Sequence, residues 1–165
     1  MMNEKDVTAL LKKIQEIGIE VWIDGGWAVD AVLGRQTREH NDIDIFIQKK
    51  DKEKILNLLV SNGYSEVKVD FTTEDHSAWF DKENHYIDLH FFEFIGENLL
   101  SFNNESYPSE IISGKGRIGG MSVRCLTVEA QLLYHQGYEH KEKDIHDVKL
   151  LCEAFGLPIP KQYQG

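Results

Sequence analysis

Apolar residues recur at helical spacing at Val7, Leu10, Leu11, Ile14 and Ile17, which predicts a one-sided surface helix over residues 3–18, closed by Gly18 in a left-handed cap. The period then shortens. Ile19, Val21 and Ile23 alternate with Glu20, Trp22 and Asp24, a short strand running into Gly25-Gly26. A short helix over residues 27–33 stops at Gly34, and the polar turn 35–41 leads into a clean alternation. There Ile43, Ile45 and Ile47 lie on one face, and Asp42, Asp44 and Phe46 on the other. Residues 52–63 read as a second surface helix. Residues 65–71 read as a strand, and residues 76–94 as two strands with a turn near residues 82–84. Turns or short strands fill residues 96–120, and residues 121–126 make a further strand. Thr127 caps a helix through about Tyr138, and residues 143–155 form the last one, ended by Gly156 and Pro158.

This order predicts an α+β (α/β) fold, a mixed sheet flanked by helices. Residues 1–126 form the core, and residues 127–165 a helical segment packed on the same domain. The 165-residue length fits one domain and one site. No apolar run approaches the roughly 20 residues of a membrane span, and the N-terminus lacks the basic-then-apolar order of a signal peptide. A cytoplasmic protein without a membrane partner is expected. Cys125 and Cys152 have no CxxC spacing, so both read as buried small residues. A formal net charge of −10 leaves no broad basic stripe for nucleic acid. Anionic ligands must therefore be bound locally, with metal ions, whereas cationic or neutral small molecules meet a favourable field.

Asp42 and Asp44, at i and i+2 on one strand face, lie about 7 Å apart along the chain and can converge on one divalent cation. An acidic, solvent-facing edge strand would read the same way. In the stretch HYIDLHFF, residues 85–92, alternation puts Tyr86, Asp88, His90 and Phe92 on one face. Asp88 thus sits mid-strand among aromatics, where an unpaired carboxylate is costly. A Mg²⁺ site shared with Asp42 and Asp44 supplies its partner. Three carboxylates and Mg²⁺ are the parts of a phosphoryl- or nucleotidyl-transfer site. Gly25 and Gly26 let backbone N–H groups approach a phosphate closely. Of Arg35, Arg38 and His40, one or two are expected on the β- and γ-phosphates, with Lys49 a weaker candidate. His90, Phe92 and Tyr134 are candidates to line the acceptor site.

The ordered set Gly25-Gly26, fifteen residues, Asp42-Ile43-Asp44 and then Asp88 resembles the nucleotidyltransferase superfamily that shares the DNA polymerase β palm. Within it, GGWAVDAVLGRQTREHNDIDI, residues 25–45, looks most like the lincosamide nucleotidyltransferases and is similar to the aminoglycoside 2″-nucleotidyltransferases. The resemblance covers most of the chain. It implies a polymerase β-like palm with C-terminal helices, ATP as co-substrate, and Mg²⁺ on Asp42 and Asp44. Asp88 would be a further metal ligand, the base for the acceptor hydroxyl, or both. Lys143, Asp144 and Asp147 would touch nucleotide or substrate. A homodimer is compatible with it.

Three readings follow. The first is transfer of AMP to a hydroxyl of a lincosamide such as lincomycin or clindamycin, with pyrophosphate leaving. The second is the same chemistry on an aminoglycoside, which needs further carboxylates around the acceptor. The third is a minimal nucleotidyltransferase antitoxin that binds a helical toxin; the helical tail argues against it. Two motifs are decoys. GKGRIG, residues 114–119, matches GxGxxG but lacks the strand before and the helix after it, and is expected in a hairpin turn. DIDIFI opens like a calcium loop but carries Ile47 where glycine is required. The histidines lack zinc-ligand spacing, His140 to His146 being the nearest approach.

Overall fold

The computed structural model describes residues 1–134 and 141–164. Helix α1 (Glu4–Glu16) starts in a capping box between Asn3 and Asp6. Strand β1 (Trp22–Asp24) feeds α2 (Gly25–Leu33), which ends at Gly34 in the left-handed region. After β2 (Asp42–Gln48) come α3 (Lys52–Ser61), β3 (Ser65–Val67), β4 (His76–Phe80) and the long β5 (Tyr86–Ile95). The hairpin of β6 (Leu99–Phe102) and β7 (Glu105–Pro108) leads to β8 (Gly114–Ile118) and β9 (Met121–Cys125). Helices α4 (Val128–Tyr134) and α5 (Glu142–Phe155) complete the order. Thr127 Oγ1 accepts from the Ala130 N–H at the start of α4. The predicted extension of that helix to Tyr138 lies outside the described residues.

The main sheet runs β3-β4-β5-β2-β1-β9-β8, with β6 and β7 extending from the far end of β5. β2–β5 and β1–β9 are parallel and the other pairs antiparallel. One face buries Ile43, Ile45, Ile47, Ile87 and Leu89 against α1, α2 and α3. Each fully buried isoleucine contributes about 1.5–3 kcal/mol. A one-residue slip of β2 would exchange its three isoleucines for Asp42, Asp44 and Phe46, so burial fixes which way the aspartates point.

The opposite face is only partly open, because the segment after β5 folds back over it. Trp22, Phe92, Leu100, Ile112, Leu126 and Ala130 form a second, smaller core there. The strand predicted over residues 19–24 is shorter at its start, although Ile19 and Val21 are buried as the alternation requires. GKGRIG is not a turn: its residues 114–118 are β8, and the hairpin reverses at Gly119-Gly120, both at positive φ. Among the described residues, no helix is long and apolar enough to cross a membrane, and both cysteines are buried and free.

Candidate active site

The sheet register puts three aspartates side by side. Asp24 on β1 faces Asp44 on β2, and Asp44 faces Asp88 on β5. All three side chains leave on the face away from the isoleucine core. Asp42 stands two residues before Asp44 on the same strand. Oxygens of Asp42, Asp44 and Asp88 lie within 4.8 Å of one another, close enough to ligate a shared cation. The donor set is all carboxylate oxygen, which suits Mg²⁺ and not zinc. Burial, then the charges of Asp44 and Asp42 and a hydrogen bond with Asp42, push the Asp88 carboxyl up to about 8, partly opposed by Lys143. Such crowding of like charges is what a cation would relieve.

The two glycines make room for this arrangement. Gly25 has φ +65°, and a Cβ there would sit 2.2 Å from Asp44 Oδ2. A Cβ on Gly26 would sit 2.3 Å from Arg38 Nη2 and 2.7 Å from His40 Cε1. Their bareness therefore serves first to admit the protein's own carboxylate, guanidinium and imidazole.

Arg38 is held by a two-pronged ion pair, donating through Nε and Nη2 to the carboxylate oxygens of Asp147 at 2.8 Å each. Burial pulls its pKa down, but the hydrogen bond and charge of buried Asp147 outweigh this and raise it. Asp147 thus reaches the site through Arg38. His40 is not placed to meet a phosphate. Its ring is buried under Gly26, stacks near Trp27 at 4.4 Å between centroids, and donates Nε2–H to Asp30 at 2.6 Å. Thr37 donates to the other Asp30 oxygen at 2.5 Å, and His146 lies 3.4 Å from Thr37. This network ties turn 35–41 to α2 and α5. Arg35 is exposed and lines neither cavity described below. Lys49 pairs instead with Asp75 at 3.0 Å.

A polar cleft of about 360 Å³ opens over Gly25 and Gly26, lined by Arg38, Asp42, Asp44, Lys143 and Asp147, with Asp24, Tyr134, Lys141 and Asp144. Beside it lies an apolar chamber of about 220 Å³, walled by Phe46, Leu100, Phe102, Ile111, Ile112 and Leu126, with His90, Tyr107, Asp24 and Tyr134. Asp24 and Tyr134 belong to both. Asp24 was not among the predicted site residues; a carboxylate at a strand end before glycines reads as a helix cap, yet its side chain makes no capping bond. Phe92, expected in the acceptor site, is wholly buried in the second core and lines neither cavity. His90 lines the chamber, donates Nε2–H to Asp44 Oδ1 at 3.3 Å, and stacks between His76 and Phe46. Its burial, opposed in part by Asp24, lowers its pKa to about 4, so the ring is neutral.

The chain is 28% identical over 154 residues to a lincosamide resistance protein of Staphylococcus haemolyticus, covering 91% of this chain and 94% of that protein. It is also 28% identical over 158 residues to a 2″-aminoglycoside nucleotidyltransferase of Escherichia coli, at 89% and 84% coverage. The crystal structure of lincosamide antibiotic adenylyltransferase LnuA with lincomycin bound superposes with a TM-score of 0.80 at 27% identity, over 91% of this chain and 96% of that one. The aminoglycoside enzyme ANT(2″)-Ia, in complex with adenylyl-2″-tobramycin, shares the fold at a TM-score of 0.76 and 23% identity, over 93% and 89%. The family model described as aminoglycoside-2″-adenylyltransferase matches residues 6–151, which span the aspartate row, the glycine pair and the Arg38–Asp147 clamp; the chain belongs to that family.

Proposed function

We propose that this protein transfers AMP from ATP to a hydroxyl of a lincosamide antibiotic, releasing pyrophosphate. The observation that carries the reading is the junction of two unlike cavities at one aspartate row. A polar cleft with Arg38 and Lys143 suits a triphosphate, and an apolar chamber suits a partly apolar acceptor. The lincosamide relatives match nearly their whole length. An aminoglycoside, a polycation, calls for several carboxylates around the acceptor. Among the described residues, Asp24 is the one acidic residue that lines the chamber.

Asp42, Asp44 and Asp88 would hold Mg²⁺, which when bound supplies charge neutralisation for the triphosphate. Arg38, fixed by Asp147, and Lys143, both lining the cleft, bind phosphate oxygens. Gly25 and Gly26 hold Asp44 and Arg38 in place by leaving them space. Asp88 accepts the proton of the acceptor hydroxyl as its oxygen attacks the α-phosphorus. The new P–O bond forms, the bond to pyrophosphate breaks, and the proton stays on the carboxylate until release. The α2–turn–α5 network keeps the phosphate-facing guanidinium in one orientation, which lowers the entropic part of the barrier.

The test is mass analysis of lincomycin after incubation with the protein, ATP and Mg²⁺. A product heavier by one adenylyl group supports the reading, and unmodified lincomycin beside adenylylated tobramycin replaces it with the aminoglycoside reading.

A further inference from the structure

Asp24 is a half-buried carboxylate at the point where the two cavities meet. Among the described residues its side chain makes no hydrogen bond and no ion pair, and it does not cap α2 although it occupies the N-cap position. Among the described residues, no lysine or arginine lines the apolar chamber. His90, the one imidazole among the described residues that lines it, already donates to Asp44. The Tyr107 hydroxyl is directed to Glu105 at 2.7 Å. Tyr134, whose pKa is raised by burial and then by Asp24, lines both cavities with it. A single anion facing an apolar chamber is poorly solvated, and a ligand cation placed there recovers the lost interaction.

We propose that Asp24 is the specificity-determining residue for the acceptor, and that it selects an amphiphile carrying one protonated amine beside an apolar body. This rests on the transferase reading above, because the amine must lie within reach of the hydroxyl presented to Asp88. The ammonium pairs with Asp24, and Phe46, Leu100, Phe102 and Ile112 cover the apolar part. Asp44, on the neighbouring strand, remains with the nucleotide and its metal. A polycation would leave its other ammonium groups against apolar walls, and an uncharged acceptor would leave Asp24 unpaired. The chamber therefore discriminates in both directions.

The experiment compares wild type with Asp24→Asn, which preserves shape and removes the charge. The acceptors are lincomycin, which has one basic nitrogen, and its N-demethyl-N-acetyl derivative, in which that nitrogen is an uncharged amide. For wild type the KM for lincomycin lies roughly 10- to 100-fold below that for the amide; Asp24→Asn raises the lincomycin KM by that factor and makes the two acceptors equal. The KM for ATP changes by less than about threefold, which separates acceptor recognition from a disturbed nucleotide site. Active wild type with an unchanged lincomycin KM in Asp24→Asn overturns the role of Asp24 and leaves the transferase reading intact. Wild type that neither binds nor modifies lincomycin overturns both.

Discussion

Replacing Asp88 by asparagine should stabilise the metal-free protein while abolishing its activity. Asp88 is crowded by Asp42 and Asp44, with oxygens of all three within 4.8 Å. At that distance, and at an effective dielectric of about 20, each like-charge pair costs about 3 kcal/mol. The partial exposure of all three side chains lets solvent reduce the net effect to about 1 kcal/mol. In a domain of this size that is a rise of about 2–4 °C in Tm. The sign depends on pH. Burial and the neighbouring charges raise the folded pKa of Asp88 to about 8, so its penalty is absent below the ordinary carboxylate range, grows as pH rises from there toward 8, and levels off above that. Asparagine does not titrate, so in EDTA the gap between variant and wild type should widen from pH 5 to pH 8.5. Mg²⁺ should narrow the gap by stabilising wild type more than the variant. Pyrophosphate release should fall by about 10²–10⁴ with loss of the base. Thermal scans and a coupled pyrophosphate assay measure both. A lower Tm for Asp88→Asn in EDTA at pH 8 would show that Asp88 is not crowded, and turnover within tenfold of wild type would show that it is not the base.

Gly25→Ala should lower turnover by at least 100-fold and Tm by several degrees, because the methyl would overlap Asp44 Oδ2 and the residue is held at φ +65°; activity near wild type would show that Asp44 can move freely. Asp147→Asn should loosen Arg38 and raise the KM for ATP by about tenfold or more while leaving the acceptor KM nearly unchanged; steady-state kinetics with each substrate varied decide it. His76, stacked on His90 and Phe71, has its pKa lowered to about 4 by burial and then by repulsion from His90 once that ring is protonated as well. Its neutral form is the folded one, so stability is intact above about pH 6.5 and falls as pH drops toward 4; His76→Phe should flatten the Tm profile in that window.

The aspartate row was legible because β2 alternates strictly and Asp88 lies between Ile87 and Leu89: a carboxylate between two buried aliphatic residues on a strand can leave the sheet on only one face. The β4–β5 hairpin was legible from the polar run 82–84 between two stretches rich in aromatic and apolar residues, and Asn84 in that turn does take a positive φ. Pairings between distant segments left no local trace. Arg38 meets Asp147 across 109 residues of chain, and His40 is claimed by Asp30 from the preceding helix. Both therefore read as free polar residues of a turn. Phe92 shares a face with Asp88 but lies beyond the point where residues 99–112 fold over the sheet, and the path of that segment is set by tertiary packing. Asp24 was hidden because a strand-ending aspartate before a helix is ordinarily a cap.

In the proposed reaction the aspartate row joins a nucleotide to a lincosamide. Its most direct test is pyrophosphate release from ATP and Mg²⁺ by wild-type protein, with lincomycin in one reaction and tobramycin in another. Release that depends on lincomycin, and disappears in EDTA, is the predicted result. Release with tobramycin alone, or with neither antibiotic, would contradict the account.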